Sequence, residues 1–302
     1  MRRFTARFAS FHHHPRWLRF VVPAAALALL VVAMLSAALA QDGHSGHATT
    51  QFVAVDYAFE GPNQLGAGWH NISLRNDGAE LHHLQFARLN DGVTPDQFFQ
   101  ALAEQGEAAL ALAALTGGVG IIPPGASAEV LVDFTQPGTY VLLCFVPNAD
   151  GVPHLALGMA TVMQVTGEVA ADAANEPAAD FEVRMSDFAF SMPTSVPEGV
   201  STWRVVNDGP QPHEMLLMRV NEGVSFDEFL QALIEGGEAA APGVPIGGAQ
   251  GLSLGGASYL TLDLEPGTYV ALCLIPDPAT GQPHLALGMV APFVVEATQA
   301  GY

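Results

Sequence analysis

Pro137-Gly138-Thr139-Tyr140-Val141-Leu142-Leu143-Cys144, followed by Pro153-His154-Leu155-Ala156-Leu157-Gly158-Met159, is the stretch on which the reading of this chain turns. It returns as Pro266-Gly267-Thr268-Tyr269-Val270-Ala271-Leu272-Cys273 and Pro283-His284-Leu285-Ala286-Leu287-Gly288-Met289. The residues from proline to methionine are identical in the two copies, whereas the segments joining cysteine to histidine differ in sequence and length. Cys, His and Met therefore recur as a set.

Around each copy lies a matching series of elements. In the first repeat Phe52 to Tyr57, Trp69 to Asn76 and Ala128 to Phe134 alternate in the period of a half-buried strand, and His82 to Leu89 reads as another strand. Thr139 to Val146 is an apolar strand carrying Cys144, and Ala160 to Val165 closes the repeat. Thr94-Pro95-Asp96-Gln97 opens a helix, with Thr94 as N-cap, Pro95 in the first turn and Gln97 completing a capping box. Phe98, Phe99 and Leu102 give that helix an apolar face, and Gly117-Gly118 is expected to end the segment. The second repeat has Ser225, Glu228, Phe229 and Leu233 in the same places, and its Asn207 and His213 follow Asn76 and His82 at one constant offset. A period this long marks domain duplication rather than a solenoid. Short strands with Gly/Pro turns predict an all-β chain of two tandem sandwiches, each with one inserted helix.

The expected boundaries are a signal segment over 1–40, a flexible leader over 41–51, domains over 52–167 and 180–298, and an Ala-rich acidic linker over 168–179. The first segment combines Arg2, Arg3, Arg7, Arg16 and Arg19 with an apolar run and ends Ala38-Leu39-Ala40, as a cleavable secretory signal does. Its apolar stretch also approaches the ~20 residues of a membrane anchor, the alternative reading. Either way the chain is expected outside the cytoplasm, in the periplasm, at the cell surface or in the medium. Removing residues 1–40 leaves five arginines, no lysine and thirty acidic residues, a net charge of −25. Such a surface repels nucleic acid and anionic membrane; it keeps an exported protein soluble and favours a basic partner. Two cysteines in an exported chain could pair. Because each occupies the same interior position of a different repeat, free thiols of ligand type are the favoured expectation.

The candidate ligands are His82, Cys144, His154 and Met159, and His213, Cys273, His284 and Met289. Two imidazoles, a thiolate and a thioether suit neither Ca²⁺ nor Mg²⁺, which take oxygen donors, and differ from the Cys/His sets of structural zinc. His₂Cys with a weak axial Met is the blue-copper donor set. Met215 is a reserve ligand two residues after His213, the remaining methionines fit packing, and His70 and His83 read as structural or surface residues.

On these residues each repeat resembles a cupredoxin, the plastocyanin and azurin family of type 1 copper domains. Its Pro-Gly-x-Tyr, Cys, His, Met order is met by Pro137 to Met159 and by Pro266 to Met289, and its Asn and first His by Asn76 with His82 and Asn207 with His213. The resemblance implies Greek-key sandwiches with one copper ion each, two per chain. Two departures stand out. Nine and ten residues separate Cys from His, a spacing similar to that of copper nitrite reductases; and His83 or Glu214 follows the first ligand, where the family usually has a loop-steadying Asn. Oxidases of related architecture carry His-x-His pairs and a His beside the cysteine, but Cys144 is flanked by Leu143 and Phe145, and Cys273 by Leu272 and Leu274. The resemblance therefore implies an electron carrier rather than an enzyme, serving a redox partner, and the acidic surface favours a basic, cytochrome-like one. Leu155, Ala156 and Leu157 are the expected docking patch. Copper storage or delivery without electron transfer is the alternative.

Overall fold

The computed structural model describes residues 47, 49–169, 175–236 and 241–298. The expected signal segment, most of the leader and part of the linker lie outside them. The first repeat runs β1 (Thr49–Val55), β2 (Ala58–Glu60), β3 (Gln64–Gly66), β4 (Gly68–Asn76), β5 (His82–Leu89), α1 (Pro95–Gln105), β6 (Ala113–Ile122), β7 (Ser127–Phe134), β8 (Gly138–Leu143) and β9 (Ala160–Thr166). The second repeats this order as β10 (Phe181–Ser186), β11 (Ala189–Ser191), β12 (Ser195–Pro197), β13 (Gly199–Asn207), β14 (His213–Val220), α2 (Phe226–Gly236), β15 (Gly243–Leu252), β16 (Ala257–Leu264), β17 (Gly267–Leu272) and β18 (Val290–Glu296). The fold is that of cupredoxin-like β-sandwiches, as expected.

The strands form two sheets, in the orders β11-β10-β13-β16-β7-β4-β1-β2 and β12-β18-β17-β14-β15-β6-β5-β8-β9-β3. Their inward faces supply one apolar core, in which Phe52, Ile72 and Val130 of the first sheet meet Leu84, Phe86 and Tyr140 of the second. β5 is buried on both faces: on its outer side Ala87 and Leu89 lie under Phe98 and Leu102 of α1, while Gln85 bonds the Gly251 carbonyl of the second repeat. The helix begins as read: Thr94 accepts from the Gln97 amide while the Gln97 side chain accepts from the Thr94 amide. Ser225 and Glu228 make the same box in α2.

Both sheets pass from one repeat into the other. β6 pairs antiparallel with β15 at Val119 and Ala249, and β7 with β16 at Val130 and Leu260. Val119 and Ala249 occupy equivalent positions of the two repeats, as do Val130 and Leu260. Pairing like with like in antiparallel strands defines a local two-fold axis, the arrangement of an isologous dimer built within one chain.

Two local expectations are corrected. Gly117 and Gly118 do not end a helix: α1 stops at Gly106, and both glycines lie inside β6. Ala, Leu and Gly between a helix and a turn carry little strand signal, and pairing with β5 and β15 decides their conformation. The register shifts beside Gly118, whose φ is +140°, and a Cβ there would collide with the Leu84 carbonyl oxygen. Gly248 repeats this against Met215. Cys144 is likewise not inside its strand; β8 ends at Leu143, so the cysteine opens the following loop.

Candidate metal centres

Each centre is assembled where one strand begins and another ends. β5 opens with His82, and the loop before it is held by Asn76, fully buried between the sheets. The Asn76 amide donates to the Glu80 and Ile122 carbonyls and accepts from the Gly78 N–H. Asn207 does the same with Gln211, Leu252 and Gly209. Beyond β8, the Cys144 N–H donates to the Met159 carbonyl, Leu155 N–H to that of Cys144, and Met159 N–H to that of His154. Three of the expected ligands thus sit on one loop stitched by its own backbone. Equivalent bonds join Cys273, His284 and Met289.

His82, Cys144 and His154 converge, as do His213, Cys273 and His284, with the donor atoms of each trio within 4.8 Å of one another. The Nδ1 atoms of His82 and His154 are 3.1 Å apart, and Cys144 Sγ lies 3.9 and 3.6 Å from them. In the second repeat the Nδ1 atoms are again 3.1 Å apart and Cys273 Sγ is 3.4 Å from His284 Nδ1. All six side chains, with Met159 and Met289, are fully buried. Both cysteines are free.

Hydrogen bonds on the far ring nitrogens settle the tautomers. His82 Nε2 lies 2.6 Å from Asp56 Oδ1 and His154 Nε2 2.7 Å from Glu80 Oε2. A carboxylate only accepts, so each Nε2 carries the proton and each Nδ1 presents a lone pair. The second repeat uses Asp187 on His213 at 2.6 Å and the Gln211 amide oxygen on His284 at 3.0 Å; Gln211 is oriented by donating to Asp277 at 3.1 Å. Two lone pairs at 3.1 Å in a dry interior repel each other, and a cation held by both rings would turn that repulsion into ligation. Two neutral imidazoles beside a soft sulfur, with carboxylates one bond further out, form a donor set that fits copper.

Asp56, Glu80, Asp187 and Gln211 have no counterpart in the motif reading. Asp56 and Asp187, at equivalent places in the repeats and each followed by an aromatic, are the signal from which the sequence could have found them.

The electrostatics without metal follow from burial. Desolvation pushes the Cys144 thiol up to about 12 and that of Cys273 up as well. It lowers His82 and His213, and it depresses His284 to about 4 with help from neighbouring His213. Partial burial works against ionisation of Asp56, but the Ala79 N–H and His82 outweigh it and hold this carboxyl below its usual range.

His83 is not a surface residue. It is 4% exposed, and its Nε2 accepts the Phe145 N–H at 2.9 Å, directly after Cys144. Glu214 accepts the Leu274 N–H after Cys273 in the same way, at 2.9 Å. These residues therefore steady the ligand loop. Alternation does send them to the face opposite the ligand, but that face is closed by the other repeat. There His83, Phe145, Glu214 and Leu274 line a shared cavity of about 210 Å³. Met163, Met185, Met215 and Met218 are buried in the core, and Met192 packs against it. His70 takes no ligand role: its Nε2 donates to the Gly66 carbonyl and its ring meets Phe134 edge-on. Leu157 is 40% exposed beside the first centre, whereas His154 lies behind Tyr57 and Glu80.

Fold and clusters together define a chain of two cupredoxin-like halves whose His/Cys/His groups, each with a buried Met, fit two cupredoxin-like copper sites. The chain is similar in structure to reduced auracyanin from Roseiflexus castenholzii, with 22% identity over 39% of this chain and 97% of that one and a TM-score of 0.27. For auracyanin A, a blue copper protein of Chloroflexus aurantiacus, the values are 21%, 39%, 98% and 0.28. For the blue copper oxidase of Nitrosomonas europaea they are 13%, 83%, 86% and 0.25. No family model and no curated protein matches the chain.

Proposed function

We propose that His82, Cys144, His154 and Met159 hold one copper ion of type 1 character, that His213, Cys273, His284 and Met289 hold a second, and that the protein carries single electrons between redox partners outside the cytoplasm. The observation that carries this reading is the pair of imidazole lone pairs facing each other at 3.1 Å beside a buried sulfur, present in both repeats. When bound, copper supplies a one-electron Cu(II)/Cu(I) couple. The chain supplies a fixed, water-excluding pocket: Asp56 and Glu80, or Asp187 and Gln211, orient the rings, and His83 or Glu214 pins the peptide after the cysteine. Rings held this way need not rearrange when the metal changes charge.

A carrier is favoured over an oxidase because the residues flanking Cys144 and Cys273 are Leu143, Phe145, Leu272 and Leu274, none of which ligates a metal. The net charge of −25 after residue 40 favours a basic, cytochrome-like partner, and exposed Leu157 gives the first centre an apolar contact point. Export rests on the character of residues 1–40.

Cu(II) loading of the protein, followed by metal analysis and visible and spin-resonance spectra, tests this. Two coppers per chain with intense blue absorption are expected, and Cys144→Ser or Cys273→Ser each removes one blue centre. A colourless copper complex would refute the type 1 assignment. Blue centres that exchange copper within seconds of mixing with a chelator would instead point to storage or delivery.

A further inference from the structure

The centres share their donors but differ in what holds the second histidine. His154 Nε2 donates to the Glu80 carboxylate at 2.7 Å, whereas His284 Nε2 donates to the neutral Gln211 amide at 3.0 Å. Glu80 and Gln211 occupy equivalent positions of the two repeats. Tyr57 also donates to Glu80, while its counterpart Phe188 lacks a hydroxyl. An anion on the far nitrogen makes the ring a stronger donor through Nδ1 and favours the more highly charged state of a bound metal; a neutral amide does so less.

Other carboxylates stand near both centres, but Glu80 bonds a ligand ring directly. Asp56 and Asp187 act alike on the first histidines and cancel between the centres. Glu214 works in the opposite sense, since it stands where the first repeat has neutral His83. It accepts the Leu274 N–H, and its charge also bears on the Cys273 sulfur, which narrows the difference that Glu80 and Gln211 create. Asp277 lies behind Gln211, spreads its charge over Thr280 N–H and hydroxyl donors as well, and bears on His284 in the same sense as Glu214 bears on Cys273.

Resting on the copper reading, we propose that Glu80 and Gln211 set the two centres to different reduction potentials, the second higher, so that a single electron given to the protein comes to rest in the second repeat. These are positioning residues, acting through His154 and His284. The contrast between a charge-assisted and a neutral hydrogen bond corresponds to about tenfold in the distribution of the electron.

The test is a spectroelectrochemical titration of the copper-loaded full chain. Cys273→Ser isolates the first centre and Cys144→Ser the second, and each is titrated with and without its tuning substitution. Glu80→Gln is expected to shift the first centre about tenfold toward the reduced form at fixed applied potential, and Gln211→Glu to shift the second about tenfold the other way. Glu214→Gln should widen the gap. Equal potentials in the two single-centre proteins, or a first centre unmoved by Glu80→Gln, would overturn the proposal. The blue band separates the two levels of failure. If it is retained with unmoved potentials, the tuning argument falls alone; if it is absent from the parent proteins, the copper reading falls and takes the tuning with it.

Discussion

Asp56→Ala probes the link between hydrogen bonding and ligation most directly. Asp56 Oδ1 accepts the His82 Nε2 proton at 2.6 Å, and Oδ2 accepts the Ala79 N–H at 2.9 Å, so one carboxylate fixes the ring tautomer and the loop that carries it. Removing it frees His82 to place its proton on Nδ1, the atom required for ligation. Loss of such an outer partner typically costs 10–100-fold in metal affinity, about 1.4–2.7 kcal/mol. The side chain of Asp56 is 28% exposed and water can replace part of its role, which puts the expected loss near the lower end, about tenfold. The assay is copper competition against a chelator of known affinity, in a Cys273→Ser background so that only the first centre is counted. Nitrogen chemical shifts of the metal-free protein give a second readout: His82 should be the Nε2–H tautomer in the parent and a mixture in the variant. An affinity unchanged within twofold, together with an unchanged tautomer, would refute the argument that Asp56 presents the Nδ1 lone pair. Asp187→Ala should reproduce the loss at the second centre.

Asn76→Ala removes two donated bonds and one accepted bond from a fully buried amide and should destabilise the chain by on the order of 3 kcal/mol in chemical denaturation, with first-centre affinity falling alongside. Gly118→Ala forces a side chain into a positive-φ position against the Leu84 carbonyl and should cost several kcal/mol or prevent folding, whereas Gly92→Ala, also at positive φ but in open space, should cost on the order of 1 kcal/mol. The metal-free protein should lose stability on acidification. Burial holds His284 neutral down to about 4, while the unfolded chain binds that proton near 6.5, so the unfolded state holds more protons than the folded one and stability falls as pH drops from about 6.5 toward 4. Thermal melts across that range check it, and a flat profile would contradict the buried neutral imidazole. Because the Cys144 thiol lies well above neutral pH without metal, Cu(II) binding at pH 7 should release about one proton per centre, measurable from the buffer dependence of the binding heat.

Much of this architecture is legible in local chemistry. Alternation in Trp69 to Asn76, the capping boxes at Thr94 and Ser225, and the cysteine and histidine spacings depend on neighbours within a few residues, which a sequence displays. β6 is hidden for the opposite reason. Ala113 to Ile122 becomes a strand only because β5 and β15 flank it, and Gly117, Gly118 and Gly120 reflect the close approach of Ser258, Leu84 and Gly247 rather than a stop signal. The burial of His83 is hidden by the same limitation: strand alternation gives the side of a sheet, but whether that side meets water depends on where the other repeat docks. Asp56 and Glu80 escape because their role lies in a hydrogen bond of 2.6 or 2.7 Å to a histidine far along the chain.

The local two-fold gives the divergence between repeats a pattern. Residues that build the two centres match: Asp56 with Asp187, Asn76 with Asn207, and the His, Cys and Met positions throughout. Differences fall among the outer partners, as Tyr57 against Phe188, Glu80 against Gln211, and His83 against Glu214. Of these, His83 and Glu214 lie on the face that the two-fold brings together, lining one cavity from both repeats while gripping the peptides that follow Cys144 and Cys273. A change at either position therefore acts on its own ligand loop and on a wall shared with the other half. The duplication has left two centres with the same donors, different hydrogen-bonding surroundings and a common boundary.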